Sequence, residues 1–210
     1  MNKINGISLI LWINLDRSIE RRKHMETTLK EIDVPNIRIE AIDSQTENIN
    51  PLKCCTMSHL KAIKYLLNKP GDYFMICEDD VIFDNISYLL DLQTIIKNAP
   101  EFDILSVYKN ELITEDNNYI NWNYERKKGN KFTGAVCYII SKKGITNILN
   151  KNESFEEADI YLYKNVKSYV YKYNIVSTLN TDSTLHRYFL RLYRISQKNN
   201  LEQLKKLSIC

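Results

Sequence analysis

Residues 73–84 read YFMICEDDVIFD, and this stretch joins an apolar run to three consecutive acids. The first five residues are apolar and aromatic, which is typical of a short buried strand. Glu78, Asp79 and Asp80 follow at the point where that strand is predicted to end. Strand alternation predicts that Glu78 and Asp80 point to one side and Asp79 to the other. A further acid, Asp84, is predicted to cap the next helix.

The rest of the chain alternates between strand and helix patterns. Apolar β-branched and aromatic runs predict strands at 7–15, 37–42, 73–77, 102–108 and 135–140. Helical spacing predicts helices at 18–32, 59–67, 86–97 and 141–149. Polar loops are expected at 46–55 and 111–130, a cap at Thr56 or Ser58, and one or two short strands at 161–176. This alternation predicts an α/β fold with a mostly parallel sheet and helices on both faces.

Composition places few limits on function. The 210 residues suit a single domain over 1–210, in which 185–210 form a basic helical tail. A net charge of +3 is too mild to indicate nucleic-acid binding. Five cysteines and no secretory pattern favour reduced thiols and a cytoplasmic location. The tail has three open interpretations: it lies on a membrane surface that carries a lipid-linked acceptor, it pairs with a second subunit, or it covers the sheet.

The acidic triplet has two interpretations. In open α/β sheets, ligands bind beyond the carboxyl ends of the strands, which is where the triplet is predicted to lie. Neighbouring carboxylates there repel each other, and a hard divalent cation would relieve that repulsion and attract a diphosphate. The alternative is a solvated turn that provides one helix cap.

Five segments of the sequence share their order and spacing with one known family. They read ILWINLDRSIERRKHM (10–25), RIEAID (38–43), CTMSHLKAIKYLL (55–67), FMICEDDVIF (74–83) and, more weakly, TGAVCYIISKKGITNIL (133–149). The set resembles glycosyltransferase family 25, the lipooligosaccharide and procollagen galactosyltransferase group. That resemblance implies a GT-A, Rossmann-like fold that uses a UDP-sugar donor with Mn²⁺ or Mg²⁺.

The resemblance also implies roles for residues of the triplet. Asp80 is the first choice for direct metal ligation, and Glu78 either ligates the metal or acts through a water molecule. Asp79 is expected to contact the ribose or a neighbouring backbone group. A late histidine, His186, is a candidate for completing the metal shell, with Asp182 as the alternative. For His186 the alternative is an ordinary position on a helix surface.

The donor nucleotide is expected at the end of the first strand. Residues assigned to its binding are Asn14, Leu15, Asp16, Arg17, Arg21, Ser58, His59 and Asp79. Arg17, Arg21 or Arg22 is expected to neutralise phosphate, and the alternative is that Arg21, Arg22 and Lys23 form the solvated face of a helix. Ser58 and His59 are expected at a helix start, where they shape the donor site, or else form a serine cap and a neutral histidine bonded to the backbone.

The acceptor half of the site requires a general base that deprotonates a hydroxyl group. Asp159 and Glu157 are the candidates within FEEADIYL, with Glu156 beside them and Asp159 preferred. The alternative for the glutamates is the first turn of a helix, where acids complement the dipole. In the polar segment before them, Tyr119, Trp122 and Tyr124 either stack on an acceptor sugar or pack against the core.

The sequence is therefore interpreted as a metal-dependent glycosyltransferase. It is expected to move a hexose from a UDP-sugar to a hydroxyl of a glycan, a lipid-linked saccharide or a collagen-like acceptor, with inversion implied by the resemblance. One alternative is a non-catalytic GT-A-like module that binds a glycan or a partner. Another is a nuclease, against which the mild net charge and the lack of a second acid cluster both count.

Overall fold

The computed structural model describes residues 4–83, 89–109, 117–123, 134–151 and 157–179. Predicted features outside these ranges are Asp84, Tyr124, Glu156, Asp182, His186 and the tail over 185–210. The described residues belong to one compact unit that ends at Leu179. The single domain over 1–210 and the membrane or dimer role of the tail therefore stay predictions. Among the described residues, no helix is both long and apolar enough to cross a membrane.

The described chain contains nine strands and six helices. The strands are β1 Ile10–Asn14, β2 Asn36–Glu40, β3 Tyr73–Glu78, β4 Val81–Ile82, β5 Ile104–Ser106, β6 Tyr119–Asn121, β7 Cys137–Ser141, β8 Ser168–Tyr171 and β9 Ser177–Thr178. The helices are α1 Ile19–Lys30, α2 Ser44–Glu47, α3 Pro51–Leu66, α4 Leu92–Asn98, α5 Lys142–Leu149 and α6 Ala158–Tyr163.

Seven strands form one sheet in the order β2-β1-β3-β7-β5-β8-β6, and β4 pairs with β9 separately. Strands β1, β2, β3, β5 and β8 run in one direction, while β6 and β7 run against it. The predicted mostly parallel α/β sheet is confirmed. β1 lies between β2 and β3, so the chain order reverses there, and a crevice is expected outside the carboxyl ends of these strands.

Helices cover both faces of the sheet, as predicted. Successive side chains of β1 and β3 alternate between two apolar layers because strand residues point to opposite faces. One layer joins Trp12, Met75, Cys77 and Ile139 to Met25 and Leu29 of α1 and to Leu92 and Ile95 of α4. The other joins Leu11, Ile13, Phe74 and Ile76 to Ala62 and Ile63 of α3, Ile145 of α5 and Leu162 of α6. Each fully buried side chain contributes roughly 1.5–3 kcal/mol, so these layers hold the strand ends in place.

The helix that carries Ser58 begins earlier than predicted. α3 begins at Pro51, and the side chain of Asn50 caps it by accepting a hydrogen bond from the N–H two residues later, at 2.8 Å. Proline suits the first helical position because its missing N–H would have no helical partner there. The predicted loop over 46–55, followed by a cap at Thr56 or Ser58, is therefore wrong.

Of the one or two short strands predicted over 161–176, β8 at Ser168–Tyr171 is confirmed, but the apolar run directly after Asp159 is a helix, α6, and not a strand. Tyr161, Leu162 and Tyr163 of this helix are all buried, so three consecutive positions contact the protein interior. This helix packs against both α3 and the sheet, so it buries more than one face, which hides the 3.6-residue period in so short a segment.

Residues 117–123 form the end of the sheet and not the predicted surface loop. They contain the edge strand β6, and Trp122 beside it is buried against the ring of Tyr163, with centroids 5.6 Å apart. Tyr119 donates its hydroxyl hydrogen bond to the carbonyl of Ile95 at 2.7 Å. Of the two roles left open for these aromatics, Tyr119 and Trp122 take the structural one.

Candidate functional site

The acidic triplet lies at the carboxyl edge of the sheet. Glu78 is the last residue of β3, and Asp79 and Asp80 form a turn that leads into β4. The carbonyl of Asp80 accepts a hydrogen bond from the N–H of Leu179 at 2.8 Å, next to the β4–β9 pair. Because β3 ends at Glu78, strand alternation does not continue through Asp79 and Asp80, which differs from the predicted arrangement.

Asp79 and Asp80 share one guanidinium group from α1. Nη1 of Arg21 lies 2.9 Å from Oδ1 of Asp79 and 3.5 Å from Oδ2 of Asp80. Both carboxylates are buried, and Asn14 at the end of β1 donates a further hydrogen bond to Oδ2 of Asp79 at 2.6 Å. Arg21 was predicted to neutralise phosphate or to lie on a solvated helix face. In the structure it contacts the two aspartates of the triplet.

The carboxylate of Asp80 is only partly paired. Its Oδ1 is buried and makes no hydrogen bond among the described residues. Burial and the nearby charge of Glu78 raise the pKa of Asp80 to about 7 from its ordinary value of 3.8, against the opposing effect of Arg21. A buried carboxylate oxygen without a partner, close to a second acid, is a suitable ligand for a divalent cation. Asp80 therefore fits the metal that the sequence predicted.

Burial also raises the pKa of Asp79, although its hydrogen bond from Asn14 and the charge of Arg21 act in the opposite direction. Asn14 and Arg21 thus hold the Asp79 carboxylate in place, and Arg21 partly neutralises its charge. The two aspartates consequently differ: Asp79 has both oxygens occupied, whereas Asp80 has one oxygen to offer.

Asn14 links three of the motifs that carry the family resemblance. Besides contacting Asp79, its Nδ2 donates to the carbonyl of Ser18 at 3.2 Å, and its Oδ1 accepts a hydrogen bond from Nε of Arg38 at 2.8 Å. Arg38 also pairs with Asp16 at 3.0 Å. Sequence reasoning did not propose a role for Arg38. The available signal was that Arg38 begins the RIEAID segment, which is part of the family resemblance.

The turn after β1 is held by a second ion pair. Arg17 and Asp43 lie 2.5 Å apart, and the hydrogen bond from Arg17 lowers the pKa of Asp43. The carbonyl of Leu15 accepts a hydrogen bond from the N–H of Ser18 at 2.9 Å. The structure thus gathers Asn14, Leu15, Asp16 and Arg17 at the edge of the sheet that also bears the triplet.

Ser58 and His59 lie inside α3, so the predicted effect of a helix N-terminus does not apply to them. The hydroxyl of Ser58 donates to the carbonyl of Cys54 at 2.7 Å and accepts from the N–H of Ile42 at 2.8 Å. Its contacts therefore tie α3 to the segment after β2. His59 is buried, and its Nδ1 lies 3.2 Å from the hydroxyl of Tyr138 on β7.

Glu78 faces α3, away from Arg21. Its Oε1 lies 3.5 Å from Nε2 of His59, and the thiol of Cys55 completes a group whose ligand atoms all lie within 4.8 Å of one another. Burial, followed by the charge of Glu78 and then that of Asp159, raises the pKa of Cys55. Sequence reasoning missed this cluster because Cys55 was placed in a loop, where its four-residue spacing from His59 had no meaning.

Asp159 is buried at the start of α6, close to the same edge. Its Oδ2 accepts a hydrogen bond from the N–H of Gly134 at 3.2 Å, and its Oδ1 accepts one from the N–H of Ile160 at 2.8 Å. Gly134 has φ +124°, and an added Cβ would meet the Tyr108 ring at 3.0 Å, so this position requires glycine. Glu157, the other candidate base, is exposed.

Comparison with known protein families gives one match to the chain. A sequence profile of glycosyltransferase family 25 (LPS biosynthesis protein) matches residues 50–166, which is more than half of the 210-residue chain. The matched region contains the acidic triplet, the cluster of Cys55 and His59, and Asp159. A search of curated proteins found no match to the chain.

Solved structures show a similar fold. The chain resembles the crystal structure of a glycosyltransferase involved in the glycosylation of the major capsid of PBCV-1, with a TM-score of 0.54 and 9% identity, over 86% of this chain and 96% of that one. At this identity the likeness shows the fold alone. The chain is also similar to the structure of the inositol-1-phosphate CTP transferase from T. maritima, with a TM-score of 0.49 and 13% identity, over 87% of this chain and 92% of that one. The lower score of this second pair carries no further conclusion.

Proposed function

The chain belongs to glycosyltransferase family 25, and on that premise we propose that it moves a hexose from a UDP-sugar to a hydroxyl group, with inversion. The proposed acceptor is a glycan, a lipid-linked saccharide or a collagen-like hydroxyl. The observation that carries the proposal is Asp80: a buried carboxylate with one unpartnered oxygen at the carboxyl edge of β3, next to Glu78. This is the edge at which α/β sheets bind nucleotides.

On the donor side, Mn²⁺ or Mg²⁺ would be held by Asp80, with Glu78, which faces α3, acting through a water molecule. When bound, such an ion supplies positive charge for the departing diphosphate. Arg21 provides a second cation at the same place, because its guanidinium already reaches Asp79 and Asp80. Asn14 keeps Asp79 fixed, so that the turn presents Asp80 in one position.

The same edge offers a surface for the nucleoside. The turn over residues 14–17 is fixed by the Asn14–Arg38 and Arg17–Asp43 contacts. We propose that its backbone groups and Asp16 recognise the uracil and ribose. Ser58 supports that surface indirectly, because its hydroxyl bonds to the N–H of Ile42.

On the acceptor side, Asp159 is the proposed general base. Two backbone N–H groups hold its carboxylate in place, so the group needs no reorientation before it accepts a proton from the acceptor hydroxyl. Its charge and that of Glu78 both raise the pKa of Cys55, so both carboxylates lie near that thiol. Glu157 is exposed two residues earlier and is the second choice.

Calorimetry with UDP tests the donor half. We expect UDP to bind in the presence of MnCl₂ and to bind at least about tenfold more weakly, a difference of about 1.4 kcal/mol, when a chelator removes the ion. Asp80→Asn should remove this metal dependence. Asp72→Asn is the matched control, since Asp72 is exposed at the opposite end of β3 and carries the same charge. Equal behaviour of the two variants would rule out Asp80 as the metal ligand.

Asp159→Asn tests the acceptor half. General bases contribute about 10²–10⁴-fold to the rate, so sugar transfer should fall by that factor while the affinity for UDP with Mn²⁺ is unchanged. A panel of UDP-sugars with simple saccharide acceptors provides the measurement. Retained transfer would exclude Asp159 as the base. If UDP binds but the parent protein neither transfers nor hydrolyses any donor, a glycan-binding module replaces the enzyme.

A further inference from the structure

The side of the triplet that faces α3 carries a second group of potential ligands. Cys55 and His59 lie four residues apart in α3, so they project from the same face of the helix, and Glu78 ends the strand opposite them. A thiol sulfur, an imidazole nitrogen and a carboxylate oxygen from these residues all lie within 4.8 Å of one another. We propose that Cys55, His59 and Glu78 bind a zinc-like divalent ion at a site separate from the Mn²⁺ or Mg²⁺ position at Asp80.

The distances suit a tetrahedral ion. Nε2 of His59 and Oε1 of Glu78 are 3.5 Å apart, which is longer than a good hydrogen bond. Zinc bonds of about 2.0–2.3 Å to nitrogen, oxygen and sulfur give a tetrahedron whose edges measure about 3.3–3.8 Å. The histidine and glutamate are thus already at the spacing of two zinc ligands. Closing the group on an ion requires the thiol of Cys55, which lies within 4.8 Å of the other two ligand atoms, to move inward by roughly one ångström.

A neighbouring residue orients the histidine for this role. Nδ1 of His59 lies 3.2 Å from the hydroxyl of Tyr138, which is fully buried on β7. If Nδ1 donates its hydrogen to that oxygen, the lone pair of Nε2 is directed at Glu78 and Cys55. Histidine ligands of metals almost always bond through their second nitrogen in this way. Tyr138 therefore acts as a positioning residue, and the three ligands come from a long helix and a central strand.

The two sites differ in the metal they prefer. Thiolate and imidazole favour zinc, whereas the oxygen atoms at Asp80 favour Mg²⁺ and Mn²⁺. Three protein ligands leave a fourth position, which we assign to a water molecule because Cys55 and Glu78 are only half-buried. Binding converts the Cys55 thiol to a thiolate and releases its proton to solvent.

Cobalt provides a direct test because a thiolate bound to Co²⁺ gives a charge-transfer band in the near ultraviolet. Titration of the metal-free full chain with Co²⁺ should produce this band with one equivalent, and Zn²⁺ should displace it. Cys55→Ser should abolish the band. Cys54→Ser is the matched control: Cys54 is the adjacent cysteine, but its sulfur contacts the carbonyl of Ile49 and lies outside the cluster.

Two further variants should weaken zinc binding to different extents. His59→Asn should weaken Zn²⁺ binding by at least about 100-fold, and Tyr138→Phe, which removes only the orienting hydroxyl, by about tenfold. The absence of a cobalt band in the parent protein, or an unchanged band in Cys55→Ser, would overturn the site. If Cys55→Ser does not fold, alkylation of the parent protein decides: Zn²⁺ must protect Cys55 from the reagent, and lack of protection refutes the site.

The result does not depend on the proposed glycosyl transfer. Asp80→Asn should bind Co²⁺ with the same band as the parent protein, since Asp80 contributes no ligand to this cluster. Loss of the band in Asp80→Asn would show that the ion belongs to the aspartate site and would refute a separate one. Loss of Mn²⁺-dependent UDP binding with the band intact would concern the proposed function only.

Discussion

Glu78 and Asp80 belong to one acidic triplet, but they face different sides of the sheet and meet different chemistry. Asp80 is buried together with Asp79 beside the guanidinium of Arg21 from α1. Glu78 retains 32% of its side-chain exposure and faces the imidazole of His59 from α3. The difference arises because β3 ends at Glu78 and the chain turns. Two carboxylates that look equivalent in sequence therefore have different partners in the fold.

The largest expected effect comes from the aspartate side. In the metal-free protein at pH 8, Arg21→Ala should lower the free energy of unfolding by about 3–5 kcal/mol, because it leaves two buried carboxylates without their cation. Urea denaturation with a chelator present provides the measurement. Arg22→Ala is the matched control: its ion pair with Glu26 is exposed and should contribute less than about 1 kcal/mol.

Mn²⁺ sharpens this prediction. If the ion takes the place of the guanidinium, it should stabilise Arg21→Ala more than it stabilises the parent protein. Equal stability of the Arg21 and Arg22 variants would mean that the aspartates are not held by charge, and the contrast between the two sides of the triplet would fail.

The dependence of stability on pH is the next effect in size. The pKa of Asp80 is about 7 in the folded protein and 3.8 ordinarily, so between these values folding takes up a proton. The free energy of unfolding should therefore fall as the pH rises from about 4 to about 7, by on the order of 3 kcal/mol, and stay low above that. Asp80→Asn should flatten this decline, whereas Asp72→Asn should keep it.

Saturating Mn²⁺ should remove this decline of stability with pH. Metal binding requires the deprotonated carboxylate, so the affinity of Asp80 for the ion increases as the pH approaches 7 and then levels off. The stability of the metal-bound protein should then be nearly constant over the same window, because both the bound carboxylate and the unfolded one are deprotonated above about pH 5. A decline of equal steepness in Asp80→Asn would show that another group titrates there.

The sequence predicted the fold and the edge that bears the site, because period-2 and 3.6-residue patterns are local properties of the chain. It also placed the triplet at the end of β3, since the change from FMIC to EDD is abrupt. The sequence could not predict that Glu78 and Asp80 face different helices, because that difference depends on which helix packs on each face of the sheet. The start of α3 was readable from Asn50-Pro51, but the polar composition of 46–55 favoured a loop.

The contacts between motifs were not predictable for a related reason. Arg21, Asn14 and Arg38 meet at the triplet only after β1, β2 and β3 assemble, and sequence separation of 24–65 residues carries no information about that geometry. The pairing of His59 with Tyr138 spans 79 residues and requires the antiparallel strand β7, whose place beside β3 no local pattern indicates. Site residues were therefore recognisable singly, while their partners were not.

The smallest expected effect is on the glutamate side and completes the contrast. In the metal-free protein at pH 8, Glu78→Gln should change the free energy of unfolding by less than about 1 kcal/mol, because Glu78 is one-third exposed and its contact with His59 is long. The same variant should weaken Zn²⁺ binding strongly, since it removes a ligand oxygen's charge. Urea denaturation and zinc competition on one preparation measure both. A loss of stability as large as that of Arg21→Ala would mean that Glu78 is a structural acid, and the two halves of the triplet would then have one role instead of two.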